Sequence, residues 1–282
     1  TGACGLDEQE SEVDALIARD YFVEALCRLD PTPYTENPYY RNIRIPQTRF
    51  GRWELTCQEY APYEAFIYKD IKMYPDSREV PLLGYFTESF RYPSVMEDGH
   101  EWMSIKPSEL ETLKVPIDKA HGRVITFGLG LGYYTYMVSR KPEVTSVTVI
   151  ERSEEVIELF KTHILPQFEH PEKVHIIQSD AYEYMDRQML SGMYDYVLAD
   201  LWHDVSDGLD LYLKFKKREH HFPDTEFDYW AEESLLSAVR WELFDLILAT
   251  SRSEEEALHR LSDESLRKIV STDTKGVLMP QR

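Results

Sequence analysis

The sequence predicts an α/β fold: a parallel sheet with helices on both faces, preceded by a helical and β-rich region and followed by a helical one. Three observations predict it. Between residues 120 and 200, short apolar runs alternate with amphipathic segments. The first run passes directly into Gly128-Leu129-Gly130-Leu131-Gly132. Later runs each end near an acidic residue, Glu151, Asp180 or Asp200.

The central stretch, 119–212, carries the pattern. Val124-Ile125-Thr126-Phe127 reads as a short strand, and Tyr133 to Arg140 as a helix stopped near Pro142. Val144 to Ile150, with three valines, reads as a second strand. Ser153 is placed to cap a helix whose Val156, Leu159, Phe160, His163 and Ile164 share one face. Val174 to Ile177 is a third strand, Ala181 to Leu190 a helix, and Tyr194 to Ala199 a fourth strand. Repeated β-α-β units imply parallel strands joined by crossover helices.

The flanks read differently. In 1–118, Val13, Leu16, Ile17, Leu26 and Leu29 recur at near-helical spacing, and the acidic first dozen residues are expected to be loose. A Pro/Tyr-rich connector follows, then a β-rich stretch from Phe50 to Tyr92, and a short helix at Ser108-Glu109-Leu110-Glu111. From Asp204 onward, and throughout 213–282, the pattern is helical, with Val277-Leu278-Met279 the one late strand expected. No fifth strand of the sheet is recognisable.

Charge narrows the function. Asp and Glu outnumber Lys and Arg by 51 to 31, a formal net charge of -20, which repels phosphate backbones and disfavours nucleic acid as partner. The densest basic run, Lys214, Lys216, Lys217 and Arg218, is soon followed by Asp224, Glu226 and Asp228, and reads as a solvated helix face. A cationic or neutral small molecule suits this balance. Cys4, Cys27 and Cys57 share no metal-ligand spacing, so neither a metal site nor a disulfide framework is expected. A reducing, cytoplasmic setting follows, and no signal-peptide pattern opens the sequence. The most apolar long helix, Trp230 to Thr250, carries Glu232, Glu233, Arg240, Glu242 and Asp245, which bar a membrane span. A homodimer is compatible with the sequence.

A strand, glycines and a helix start let backbone N–H groups approach a ligand closely, although the same residues also make a plain tight turn. A dinucleotide fingerprint, G-x-G-x-x-G, would place its third glycine at Tyr133. Here it falls at Gly132. This G-x-G-x-G form resembles the first motif of class I S-adenosylmethionine-dependent methyltransferases, which have a Rossmann-like fold.

That resemblance implies roles. Gly128, Gly130 and Gly132 would pack against the methionine part of the cofactor, and Glu151 would hold the ribose hydroxyls. Asp180, with the amide of Ala181, would hold the adenine, and Asp200 would lie beside the sulfonium and the acceptor. From the residues alone, Glu151 and Asp180 can equally be helix caps.

Within that superfamily the chain is most similar to spermidine synthase and its relatives. They also carry a β-rich element before the Rossmann-like domain and an acidic cluster after the fourth strand. The matching stretch is Asp200-Leu201-Trp202-His203-Asp204, then Asp207 and Asp210, with no basic residue among them. The polyamine synthases' Asp-Ser-Ser-Asp-Pro pattern is absent, and Thr126 stands where the superfamily often has an acid. Asp200 and His203 are the candidate catalytic groups, with Trp202 and Asp204 against the substrate. His203 also reads as a surface histidine, and the loop as a solvated turn. Trp53, Tyr60, Tyr63, Tyr68 and Trp102 would either wall the pocket or form the core of the β-rich element.

The function implied is an S-adenosylmethionine-dependent methyl transfer to a small amine or neutral acceptor. Aminopropyl transfer from decarboxylated S-adenosylmethionine is the first alternative. A methyltransferase-like protein that binds nucleoside or protein without chemistry is the second.

Overall fold

The computed structural model describes residues 7, 9–22, 25–75 and 78–250. Val277-Leu278-Met279, Cys4 and most of the acidic first dozen lie outside them. The N-terminal region opens with helix α1 (Glu12–Ile17), capped by the Ser11 side chain and continued by a π turn over Ala18–Phe22. Strand β1 (Leu26–Arg28) follows, then helices α2 (Thr32–Thr35) and α3 (Pro38–Asn42). Next come β2 (Thr48–Phe50), β3 (Trp53–Tyr60), β4 (Phe66–Met73), β5 (Glu79–Tyr85), β6 (Phe90–Glu97) and β7 (His100–Ser104). Leu26, read as helical by spacing, is instead on β1, where parallel pairing with Leu83 of β5 overrides its helical spacing.

These strands make two sheets, ordered β1-β5-β4 and β2-β3-β6-β7. Their core is aromatic: Tyr60 stacks on Phe66 at 3.9 Å, and Phe86 stacks on Phe90 at 4.6 Å.

Helices α4 (Pro107–Thr112) and α5 (Lys114–Lys119) lead into the main sheet. Its strands and helices alternate: β8 (Gly122–Phe127), α6 (Tyr133–Ser139), β9 (Val144–Glu151), α7 (Glu154–Leu159), β10 (Val174–Gln178), α8 (Ala181–Arg187), β11 (Tyr196–Ala199), α9 (Val205–Glu219), β12 (Glu226–Tyr229) and α10 (Glu232–Thr250). The order is β10-β9-β8-β11-β12, parallel at every pairing, which makes this a Rossmann-like α/β fold.

Alternation along each strand divides the core. Val124, Val147, Val149, Tyr196 and Leu198 belong to one buried layer, which also holds Tyr136 of α6 and Val156 of α7. Ile125, Phe127, Ile150, Val197 and Ala199 belong to the other, with Tyr184 of α8 and Phe215 of α9.

A fifth strand, β12, is therefore present, and it lies within the 213–282 stretch read as helical. Its Glu226-Phe227-Asp228-Tyr229 has too few apolar residues to stand out as sheet core. The acids are satisfied at the sheet edge: Lys119 pairs with Asp228 at 3.0 Å and Glu226 at 3.3 Å, and the Tyr196 hydroxyl donates to Asp228.

Beyond it, α10 returns to the N-terminal strands. Arg240 pairs with Glu79 of β5 at 2.6 Å, and Ser234 and Ser237 donate to Asp70 and Glu79. Among the described residues no helix is long and apolar enough to cross a membrane.

Two members of the basic run on α9 are paired within the protein. Arg218 makes two bonds to Asp186, at 2.7 and 2.8 Å, and Lys216 pairs with Glu219 at 3.0 Å.

Candidate functional site

The glycine turn leaves β8 with Gly128, Gly130 and Gly132 at φ of 101°, 50° and 73°, a region that L side chains rarely enter. The space around them is already taken by the protein. A Cβ on Gly128 would lie 2.0 Å from the Asp200 carbonyl oxygen, one on Gly130 would lie 1.8 Å from Met103 Sδ, and one on Gly132 would lie 2.3 Å from the Phe160 ring. Met103, from β7, also accepts a hydrogen bond from the Leu131 N–H at 3.3 Å. The N-terminal sheet thus roofs the turn. Met103 fills the space that a side chain at position 130 would need.

Around this turn a cleft opens at the carboxyl ends of β8, β9, β10 and β11, where ligands bind in open α/β sheets. Gly128, Gly130, Glu151, Asp180, Ala181, Asp200, Trp202, His203 and Trp102 are among the residues that line it. It holds about 160 Å³.

Each carboxylate has a defined local cause. Glu151 ends β9; its Oε2 accepts from the Leu129 N–H at 3.2 Å and its Oε1 from the Ser153 N–H at 2.8 Å. It therefore ties the glycine turn to the start of α7, whose cap is Ser153 as expected. Asp180 is the N-cap of α8, its Oδ1 accepting from the Tyr182 and Glu183 N–H groups at 2.9 and 3.0 Å. Capping and cleft lining coincide there, since only one carboxylate oxygen is engaged by the helix. Ala181, the first residue of α8, is buried at the cleft wall.

Asp200 follows β11 directly, and withdrawal from water pushes its carboxyl from the usual 3.8 up to about 7. Near it stands a residue that no sequence motif marks. Glu109 of α4 is 5% exposed, and its Oε1 has no hydrogen-bond partner. Burial, and then the charge of Asp200, hold its carboxyl well above the ordinary range. A lone glutamate in a helix start has no spacing signature. The only hint was its place between Pro107 and Leu110 on what proves to be the buried face of α4.

The acidic loop is mostly a helix start. Asp204 caps α9 in a capping box with Asp207, its Oδ1 accepting from the Ser206 N–H at 2.7 Å, while Asp207 accepts from the Asp204 N–H at 3.1 Å. Asp204, Asp207 and Asp210 do not line the cleft. Asp204 acts as the N-cap of α9, because the first turn of that helix has unpaired N–H groups that its side chain satisfies.

Trp202 lines the cleft but is 6% exposed, its Nε1 donating to the Trp230 carbonyl at 3.2 Å. The His203 ring is held by Asp207 at 2.8 Å and meets Trp102 edge-on, with centroids 4.3 Å apart. Trp102 therefore walls the cleft. Trp53 is core behind it, with ring centroids 5.4 Å apart; Tyr60 is stacked in the β core and Tyr63 is exposed. Among the described residues no cluster of His, Cys, Asp and Glu could hold a metal ion.

Neither a family model nor a curated protein matches the sequence. Solved structures similar to the chain include spermidine synthase from Thermotoga maritima, at 15% identity and TM-score 0.37, covering 57% of this chain and 62% of that one. A second is a putative O-methyltransferase from Klebsiella pneumoniae, at 14% identity and TM-score 0.30, covering 38% and 47%. A third is precorrin 8W decarboxylase from Methanobacterium thermoautotrophicum, at 16% identity and TM-score 0.29, covering 39% and 53%. The chain spans less than two thirds of each. At these values the likenesses carry no argument about the site. Strand order and parallel register define the class: a Rossmann-like α/β protein with a carboxylate-lined cleft at its strand ends.

Proposed function

We propose that the chain is an S-adenosylmethionine-dependent transferase that alkylates a small amine. The observation that carries this reading is the meeting, in one cleft, of the glycine turn, Glu151 and Asp200. The residues fit the cofactor's chemistry. An ionised carboxylate has about four acceptor positions, and Glu151 uses two of them on backbone N–H groups, leaving capacity for ribose hydroxyls. Those same bonds fix its direction. The Asp180 oxygen not used by the helix cap suits the amino group of adenine.

Held by the glycine turn, Glu151 and Asp180, S-adenosylmethionine would supply an electrophilic alkyl carbon with the sulfur as leaving group. Asp200 prepares the acceptor's lone pair. An ammonium group beside it gives one proton to the carboxylate, and the neutral amine nitrogen is then free to form the new bond. Shifted up to about 7, Asp200 holds a proton far better than an ordinary carboxylate, which narrows the gap to an amine. Trp102, Trp202 and His203 limit water around the reacting atoms and align them, and proximity supplies most of the rate in such a transfer.

Calorimetric titration with S-adenosylmethionine, S-adenosylhomocysteine and decarboxylated S-adenosylmethionine, followed by assays over an amine panel, tests this reading. Tight binding of the first two with amine alkylation supports it. Preference for the decarboxylated form would assign aminopropyl transfer, and binding without turnover on any acceptor would leave a nucleoside-binding protein.

A further inference from the structure

Arg152 follows Glu151 directly and is the one lysine or arginine among the described residues that line the cleft. It is exposed, and its guanidinium lies over the Trp102 ring, 6.0 Å from the centroid. Glu151, Asp180 and Asp200 line the same cleft. Among the described residues the guanidinium is bonded to no acid, and Glu151 and Asp180 bond backbone N–H groups instead. In a chain of formal net charge -20, where acids outnumber bases by 51 to 31, a guanidinium left without an acid at the cleft is open to an anion that the ligand brings.

Its place selects which part of a ligand it meets. Trp102 carries the guanidinium on one side and meets the His203 ring edge-on at 4.3 Å. The next residue, Met103, fills the space beside Gly130 and accepts from the Leu131 N–H at 3.3 Å. The cation is therefore held by the strand that roofs the glycine turn, at the end of the cleft that would take the methionine part of the cofactor. S-adenosylmethionine and S-adenosylhomocysteine end there in a carboxylate beside an ammonium group. Their decarboxylated forms end in an ammonium group alone, which a guanidinium repels.

We propose that Arg152 is a specificity-determining residue that pairs with the amino-acid carboxylate of the nucleoside, so that the cleft takes the carboxylated cofactor in preference to the decarboxylated one. This rests on the function proposed above and selects methyl over aminopropyl transfer within it. The planar fork of a guanidinium matches a carboxylate with two parallel N–H···O bonds, and the Trp102 ring limits the directions the fork can take. Glu151 and Arg152 then divide the ligand, the ribose hydroxyls going to the carboxylate and the amino-acid end to the cation.

Calorimetry with S-adenosylhomocysteine and its decarboxylated counterpart, which differ only by that carboxylate, tests the assignment. The wild type should bind the first about tenfold or more tightly, the weight of one charge-assisted bond. Arg152→Gln, a change at an exposed position, should weaken the first and leave the second as it was or tighter, so that the two affinities converge. Arg152→Lys should keep part of the preference, because the charge remains while the fork is lost. Added salt should shrink the wild-type preference. A preference that Arg152→Gln leaves unchanged would overturn the role of Arg152 and keep the cofactor reading. Equal binding of the two nucleosides by the wild type, or tighter binding of the decarboxylated one, would overturn it without any variant. Binding of neither by the wild type would remove the cofactor reading and this proposal with it.

Discussion

The backbone carbonyl of Asp200 stands 2.0 Å from the place a Cβ would take on Gly128. The first residue of the glycine turn and the residue assigned to the acceptor are thus built against each other. The Asp200 N–H also donates to the Phe127 carbonyl at 2.9 Å, closing the same contact from the other side. Donor and acceptor ends of the proposed site share one piece of backbone.

Gly128→Ala should therefore act at both ends. The added methyl meets a carbonyl, and φ of 101° disfavours any side chain, which costs roughly 1–3 kcal/mol for the backbone strain alone. Urea unfolding should show the loss, and nucleoside binding and amine turnover should fall together. A variant of wild-type stability with both functions intact would contradict the contact.

Asp204→Ala should behave as a lost helix cap. About 0.5–2 kcal/mol of stability should go, with little change in acceptor KM, because Asp204 points into the first turn of α9 and not into the cleft. A strong rise in KM at unchanged stability would return Asp204 to the substrate.

Turnover should report the ionisation of Asp200. Its carboxyl must be ionised to take the amine's proton, so kcat/KM should rise with pH through about 7 and then level off. Asp200→Asn should lose at least about a hundredfold in turnover, within the range typical of a removed general base, while nucleoside affinity stays close to wild type. A flat profile between pH 5 and 9, or full activity in the asparagine variant, would remove the base.

The legibility of this fold follows physical rules. β8, β9 and β11 are buried on both faces, so they appear in the sequence as near-continuous apolar runs, and the glycine turn announces the first crossover. β12 sits at the edge with Glu226 and Asp228 paired to Lys119, so its pattern is polar and only four residues long. Leu26 kept a helical spacing while its partner, Leu83, lay far along the chain.

At the site, residues placed by the sheet were legible, because strand ends and turns leave local signatures. Met103 and Glu109 were not, because they arrive from β7 and α4 through tertiary packing alone. Asp204 and Asp207 form a capping box, which uses the same residue types as a cation site, so residue types alone do not separate the two roles.

Binding of S-adenosylhomocysteine to the wild type and to Glu151→Ala, measured by calorimetry, tests the central claim most directly. Loss of a charge-assisted hydrogen bond costs about 1.5–3 kcal/mol, so the variant should bind roughly tenfold or more weakly. Because Glu151 also holds Leu129 and Ser153, thermal unfolding of both proteins must accompany the titration. Saturable binding by the wild type, weakened in a variant that remains folded, is the expected result. No binding by the wild type at millimolar nucleoside, or equal affinity in the two proteins, would contradict the assignment of this cleft to S-adenosylmethionine.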